Sequence, residues 1–514
     1  MPMIRPIMAA ASLGILLRPG SGTPLYQQLF DQIAERVRSG AWPAGYRLPA
    51  TRALAHQLGT HRNTVVRAYE ELVAAGFLES AVGRGTFVAA RREAVAVQHA
   101  DRGELPWATL LTTATDGEPL RRLARFRRDT MPSGAISLSR MQPSPDLLPH
   151  VELRRCLDHV LRTMGPRALG YAPREGVLSL REQIARHLVL AGVPAVPEDV
   201  LVTTGSQQAL DLIARALVEP GDRFLTDGTT YTGTLNLMSM AGAQLVGVPN
   251  DDEGPDMASL RRVARGPVKG MYLMPNCHNP TGRTISAERR RELVAWSHEA
   301  GVPLVEDDYG ADIALDDQSP PPYLRSMDAE VIYVSTFSKK LIPALRIGFV
   351  LTPPALREPF AALKHAMDLG SSALMQHALA EFLERGYLRA HHQRVLPEYR
   401  RRRDALVSSL REVLPASVRL DVPARGLVLW LELPDDLDAE DVYVAARRAG
   451  VIVSPSTLHA VGGRVRAGVR LTFCHEPPER LVAGAERLGK AFAELVRGPR
   501  PASRPQPAPA VLGV

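Results

Sequence analysis

Lysine is nearly absent from this chain of 514 residues, which holds only Lys269, Lys339, Lys340, Lys364 and Lys490 against 57 arginines. Any chemistry that needs a protein amine is therefore confined to five positions. Cysteine is scarcer still: Cys156, Cys277 and Cys474 lie far apart and are odd in number. That spacing offers neither a disulfide framework nor a CxxC pair, and it suits a reducing cytosol. No metal site is expected. Long apolar runs are missing too. The nearest approach, residues 7–17 (IMAAASLGILL), follows Arg5 and resembles the apolar core of a secretory signal. It is too short to span a bilayer, and Arg18-Pro19-Gly20 stands where small cleavage-site residues belong. Internal repeats are also lacking. The expectation is a cytoplasmic protein with no membrane partner.

What is present suits several domains, roughly two to four at this length. The 45% hydrophobic and 23% charged content is that of an ordinary globular protein. A net charge of +7 and a pI of about 9.4 favour an anionic partner without saying which. Residues 1–23 form an N-terminal segment. Residues 24–39 then predict an amphipathic helix, with Leu25, Leu29, Ile33 and Val37 spaced by four. Gly40, Pro43 and Gly45 break the chain, and short helices follow over 52–58 and 62–75, stopped by Gly59 and Gly76. Residues 77–79 and 86–88 flank Gly83-Arg84-Gly85, a hairpin with glycines where positive φ is needed. The expected domain spans 24–90.

The third helix opens with His61-Arg62-Asn63-Thr64 and continues to Arg67, so its exposed face offers the forked donors that match guanine and adenine edges. Arg52 near the start of the second helix is placed for a phosphate, and Arg84 at the hairpin tip for a minor groove. Residues 24–92 carry nine arginines against five acids. A charged face on an unrelated three-helix bundle is the other reading of the spacing. The order of motifs resembles the GntR-type winged helix, with Leu48-Pro49-Ala50-Thr51-Arg52 close to the family's Leu-Pro-Ser-Ser-Arg. His61 stands where that family has a serine, which weakens a helix cap by about 1 kcal/mol. The resemblance implies double-stranded DNA as a partner, met by Arg52, His61, Arg62, Asn63, Thr64, Arg67 and Arg84.

Residues 91–133 are polar and arginine-rich and read as a linker. From 134 to 497, apolar runs at 200–203, 223–226, 270–274, 303–305 and 331–334 alternate with helical stretches, the pattern of an αβα sandwich with a mainly parallel sheet. The tail 498–514 is proline-rich and reads as disordered. Polar groups gather after the predicted strands, where open α/β sheets bind ligands. Gly205-Ser206-Gln207 opens a helix and offers amides to a phosphate. Tyr231 follows another strand. Asn279 sits in Asn279-Pro280-Thr281-Gly282, and Asp307 and Tyr309 in Glu306-Asp307-Asp308-Tyr309-Gly310. Residues 333–348 bring Thr336, Ser338, Lys339 and Arg346 together. A Schiff-base lysine, a carboxylate for the pyridine nitrogen, phosphate donors and a group on the ring hydroxyl are what pyridoxal 5'-phosphate (PLP) demands. Each fragment alone also reads as an ordinary loop.

In this order the fragments resemble the fold-type-I aminotransferases over residues 136–495. The matches are YAPREG at 171–176, TTGSQQALDL at 203–212, NPTG at 279–282, EDDYG at 306–310 and TFSKKLIPALRIG at 336–348. The resemblance implies Lys339 as the catalytic lysine, a smaller C-terminal α+β subdomain and Arg470 as the clamp for a substrate carboxylate. It also implies a homodimer in which Tyr171 reaches the neighbouring subunit's phosphate site. Departures are Ser335 for glycine, Lys340 for Thr or Ser, Thr229 for proline, Arg425 for the first of two glycines, and Met141 for a glycine in the segment that closes over the substrate. Lys340 is expected to depress the pKa of its neighbour Lys339. The whole chain resembles the MocR/GabR-like regulators, which implies a transcriptional regulator sensing a small amino compound. A working aminotransferase with an appended DNA-binding domain, and a PLP protein with no DNA role, remain the alternatives.

Overall fold

The computed structural model describes residues 8–10, 13–20, 23–81, 85–89, 107–112, 115, 134–462 and 465–497. Arg84, most of 91–133 and the tail 498–514 lie outside the described residues. The chain divides into two compact units, Met1–Thr109 and Leu110–Val514.

In the first unit, helix Leu25–Arg38 buries Leu29 and Ile33, as their four-residue spacing requires. Helices Thr51–Gln57 and Arg62–Ala74 complete the trio, the latter burying Val65, Ala68, Tyr69 and Leu72. The strands Leu78–Ala81 and Gly85–Val88 pair as the expected hairpin. A third strand, Arg47–Leu48, joins it antiparallel, with Arg47 opposite Phe87. Two residues between Gly45 and Pro49 carry no legible period, so this strand was not predicted.

The signal-like segment folds. Ile15–Leu17 forms a strand against Met8–Ala10, and Ile15 and Leu17 are fully buried beside Leu29, Ile33 and Leu72. Helix Leu25–Arg38 holds its backbone through two amide side chains. Leu16 N donates to Gln32 Oε1 at 3.0 Å, Gln32 Nε2 donates to Leu16 O at 2.7 Å, and Arg18 N donates to Gln28 Oε1 at 2.9 Å. A primary amide carries both donor and acceptor, so one glutamine serves both backbone groups of an edge residue.

The second unit is built on seven strands: β1 Val200–Thr203, β2 Arg223–Asp227, β3 Gln244–Val248, β4 Met271–Leu273, β5 Leu304–Asp308, β6 Ile332–Thr336 and β7 Gly348–Leu351. Their order is β1-β7-β6-β5-β4-β2-β3. β7 runs antiparallel to both neighbours and the other pairs are parallel. The central strands are buried on both faces, which is why they stand out as apolar runs. β3 is a half-buried edge and β7 an antiparallel insertion; neither was predicted.

A smaller antiparallel sheet, ordered Arg419–Asp421, Val428–Glu432, Gly468–Thr472, Ser454–Pro455, packs with helices Ala439–Arg448 and Pro478–Arg497 into its own core. Ile136–Ser137, early in this unit, pairs parallel with Val451–Ile452 and so belongs to that C-terminal layer. Among the described residues no helix is long and apolar enough to cross a membrane.

Replacing Ile15 by alanine empties a fully buried site and is expected to destabilise the first unit by about 2–4 kcal/mol. Native-state hydrogen exchange in helix Arg62–Ala74 is the check, and unchanged protection there contradicts a core role for this strand.

Candidate functional site

The polar groups singled out in the second unit converge at the carboxyl ends of β1, β4, β5 and β6. Beyond β1, Gly205 takes φ +74° and opens helix Gly205–Leu217. A Cβ there would lie 2.8 Å from Arg346 Nη2, and one on Gly348 would lie 2.6 Å from Ser206 N. Glycine at both places lets strand, helix end and guanidinium meet. Thr204 gives the helix no side-chain cap, so amides of Gly205, Ser206 and Gln207 are left for a ligand. Arg346 itself has φ +50°, rare for a residue with a Cβ, and donates to Thr204 O at 3.4 Å. Thr336 caps the turn Phe337–Lys340, its Oγ1 accepting from Ser338 N at 3.2 Å.

Lys339 lies in that turn. Its Nζ donates to Met141 O at 2.6 Å. Burial lowers its pKa; the cations Arg470 and Arg346 push the same way, while Cys474 opposes them. The expected influence of Lys340 is not seen. The Lys340 ammonium turns to Asp312 Oδ2 at 2.9 Å, in a buried group that also holds His187, and is not among the charges acting on Lys339. Successive residues of a one-turn helix point in different directions, so adjacency in sequence gave no adjacency of charge.

On β5 the pleat separates three buried acids. Glu306 accepts from Leu324 N and Arg325 N, at 3.3 and 2.9 Å, and burial raises its pKa to about 7. Asp308 accepts from Tyr333 OH at 2.7 Å and from Ala311 N at 2.8 Å. Asp307 faces the pocket. Its Oδ2 accepts from Tyr272 OH at 2.6 Å, while Oδ1 is buried with no partner. Burial, with Asp308 adding to it, pushes its pKa from 3.8 to about 7 against the opposing Tyr272 bond. The Tyr309 hydroxyl is likewise buried and partnerless. Asn279 Oδ1 accepts from Arg470 Nη1 at 3.0 Å. Arg470 Nη2 donates to Ser139 O at 3.0 Å and its Nε has no partner. Tyr231 OH donates to Gln207 Oε1 at 3.3 Å. Tyr171 is 85% exposed. Tyr272 was not singled out from the sequence, and Met141 was noted only as a departure from glycine in the segment expected to close over the substrate. Alternation along β4 marks Tyr272 as a pocket-side residue only once Asp307 is placed.

In the first unit, Arg52, His61, Arg62 and Asn63 are exposed, Thr64 is half-buried and Arg67 is exposed. Arg67 is also engaged: its guanidinium lies 3.7 Å from the Tyr26 ring centroid and 3.1 Å from Glu71 Oε1. His61 makes no side-chain cap, as its replacement of serine implied.

The family model described as bacterial regulatory proteins, gntR family, matches residues 25–88, and that of aminotransferase class I and II matches residues 144–488. The probable rhizopine catabolism regulatory protein MocR of Rhizobium meliloti is 30% identical over 94% of this chain and 96% of its own. This chain belongs to the MocR-type branch of the GntR regulators. As such a regulator it joins a DNA-binding winged helix to an aminotransferase-like domain. The regulator TauR of Rhodobacter capsulatus is 31% identical over 94% of this chain and 100% of its own. Among solved structures, the α-aminoadipate aminotransferase LysN of Thermus thermophilus, complexed with N-(5'-phosphopyridoxyl)-L-leucine, superimposes with a TM-score of 0.69 at 30% identity. That match covers 76% of this MocR-type chain and 99% of LysN.

Asp307 binds its proton more tightly folded than unfolded, its pKa being about 7 against 3.8. Its contribution to the stability of the cofactor-free regulator is therefore greatest below about pH 4 and falls as pH rises towards 7. Glu306 adds a fall of the same sign. Asp307→Asn should flatten the decline of Tm between pH 4 and 7; a slope equal to the parent's contradicts the burial argument.

Proposed function

We propose that this regulator holds PLP covalently on Lys339 and reports an amino compound to its winged helix. The observation that carries the reading is a single pocket in which Asp307 Oδ1, Tyr309 OH and Arg470 Nε are all buried without partners. Orphaned polar atoms of this kind call for a ligand that satisfies them. Their chemistry suits PLP: Asp307 takes the pyridine nitrogen, while Asn279 and Tyr309 take the ring hydroxyl and Tyr231 covers the ring. Amides of Gly205, Ser206 and Gln207, with Thr336, Ser338 and Arg346, take the phosphate. When bound, the cofactor supplies an aldehyde carbon that primary amines attack. A pyridinium proton against Asp307 removes the penalty of its buried charge, and Arg470 meets an effector carboxylate.

The functional unit is a homodimer, with Tyr171 of one chain completing the phosphate site of the other. A dimer carries two winged helices and reads two half-sites of double-stranded DNA. Arg62 and Asn63 contact bases, with Arg52, His61, Thr64, Arg67 and Arg84 around them. The effector acts by binding one arrangement of the dimer better than another. The setting is cytoplasmic, at the nucleoid. A second reading, complete transamination, is favoured by 32% identity to a 2-aminoadipate transaminase of Thermus thermophilus over 71% of this chain. Supplying amino acids with a 2-oxo acid acceptor separates the two, since sustained product release belongs to the enzyme alone.

Lys339→Ala is expected to remove the visible absorption of bound PLP while far-UV circular dichroism stays unchanged; a retained band means another lysine is used. Arg62→Ala should weaken specific operator binding by about 1–3 kcal/mol in an electrophoretic or anisotropy titration. Equal affinity for parent and variant shows the recognition face is elsewhere.

A further inference from the structure

Residues 139–142 leave the strand Ile136–Ser137 and pass over the pocket. Backbone bonds fix both ends of this strap: Leu138 N donates to Ile452 O at 2.9 Å, and Ser144 N to Cys474 O at 3.0 Å. Thr472 Oγ1 donates to Arg140 O at 3.1 Å, and the residues on either side, Ser139 and Met141, are held by two groups that an amino acid would need. Lys339 Nζ donates to Met141 O at 2.6 Å and Arg470 Nη2 to Ser139 O at 3.0 Å. The Met141 thioether lies 3.6 Å from Arg470 Nη1 and 3.6 Å from Asn279 Nδ2. A thioether is a weak acceptor. Arg470 is half-buried, with its Nε buried and unpartnered, and desolvation pulls its pKa down to about 10. Besides Asn279 Oδ1 and Ser139 O, this guanidinium has among the described residues only a sulfur at Nη1, and it gains far more from a carboxylate than from that sulfur.

We infer that Met141 is the specificity-determining residue of this pocket, standing where the carboxylate of an amino-acid effector meets Arg470 and leaving only when such a carboxylate displaces it. The inference rests on the reading of the pocket as an effector site and names the effector class: compact amino acids in preference to simple amines. An amine without a carboxylate offers Arg470 nothing and leaves the thioether in place. An amino acid replaces two weak contacts by charge-assisted ones, and its side chain must fit beside the displaced Met141. Apparent affinity is reduced by the fraction of molecules in which the strap is closed, so shortening residue 141 removes that reduction for carboxylate-bearing ligands alone.

L-alanine and ethylamine form a matched pair, the same two-carbon amine with and without a carboxylate. Each is titrated into PLP-loaded dimer, following cofactor absorption and, independently of colour, the rise in Tm. Met141→Gly is expected to tighten alanine binding about tenfold while ethylamine shifts less than about threefold. Met141→Ala, which keeps the backbone's stiffness, should move alanine in the same direction by less. If alanine affinity is unchanged or weaker in both variants, or both ligands tighten equally, the role of Met141 is overturned and the sensing reading stands. If neither amine alters absorption or Tm in any form of the protein, the sensing reading falls and this inference with it.

Discussion

Three consecutive carboxylates on a strand buried on both faces set the terms for what surrounds them. An ionised carboxylate removed from water is costly unless hydrogen-bonded or paired. The pleat of β5 solves two thirds of the problem locally, since Glu306 and Asp308 point to one face and find backbone amides, with a tyrosine hydroxyl added for Asp308. Asp307 points to the other face and has a single hydroxyl. No neighbouring element can complete it without filling the pocket. The strand therefore tolerates its third acid only as a protonated carboxyl or with a cationic partner brought from outside.

The consecutive lysines show how little primary sequence says about charge placement. Lys339 turns toward the pocket and Lys340 away from it, into Asp312, whose Oδ2 also meets His187 at 3.0 Å. Asp312 is held well below its ordinary pKa, Lys340 and His187 outweighing its burial. The second lysine thus neutralises a carboxylate behind the site instead of tuning the amine in front. Lys339 is tuned by burial and by the charges of Arg470, on the smaller sheet, and Arg346, just ahead of β7.

Legibility in the sequence followed physical rather than functional lines. β1 was read with its observed bounds because a strand covered on both faces is an apolar run. β3 was not, since its half-buried side chains lack that signature, and β7 runs against the pattern of the parallel strands. Ile15–Leu17 resembles the apolar core of a leader because its hydrogen-bond partner, Gln32, lies 16 residues downstream and looks like ordinary helix surface. In the site, residues borne on compact motifs were legible as candidates: Gly205, Asn279, Asp307, Lys339, Arg346. The strap was marked only by resemblance, through Met141 in place of glycine; its partners were not legible, because Met141 lies 198 residues from Lys339 and 329 from Arg470. Contacts at that separation leave no local trace.

A chain with 57 arginines and five lysines also shows where arginine cannot serve. Arginine does not lose its proton within a protein and so cannot act as an amine nucleophile, which restricts position 339. The other two buried lysines are used for their compactness. Lys340 reaches one carboxylate oxygen, Asp312 Oδ2, at 2.9 Å with its side chain 3% exposed. Lys364, 1% exposed, pairs with Asp368 Oδ1 at 3.0 Å. Asp368 Oδ2 in turn accepts from Gln208 Nε2 at 2.9 Å, in the first turn of helix Gly205–Leu217. That chain braces the uncapped first turn of helix Gly205–Leu217.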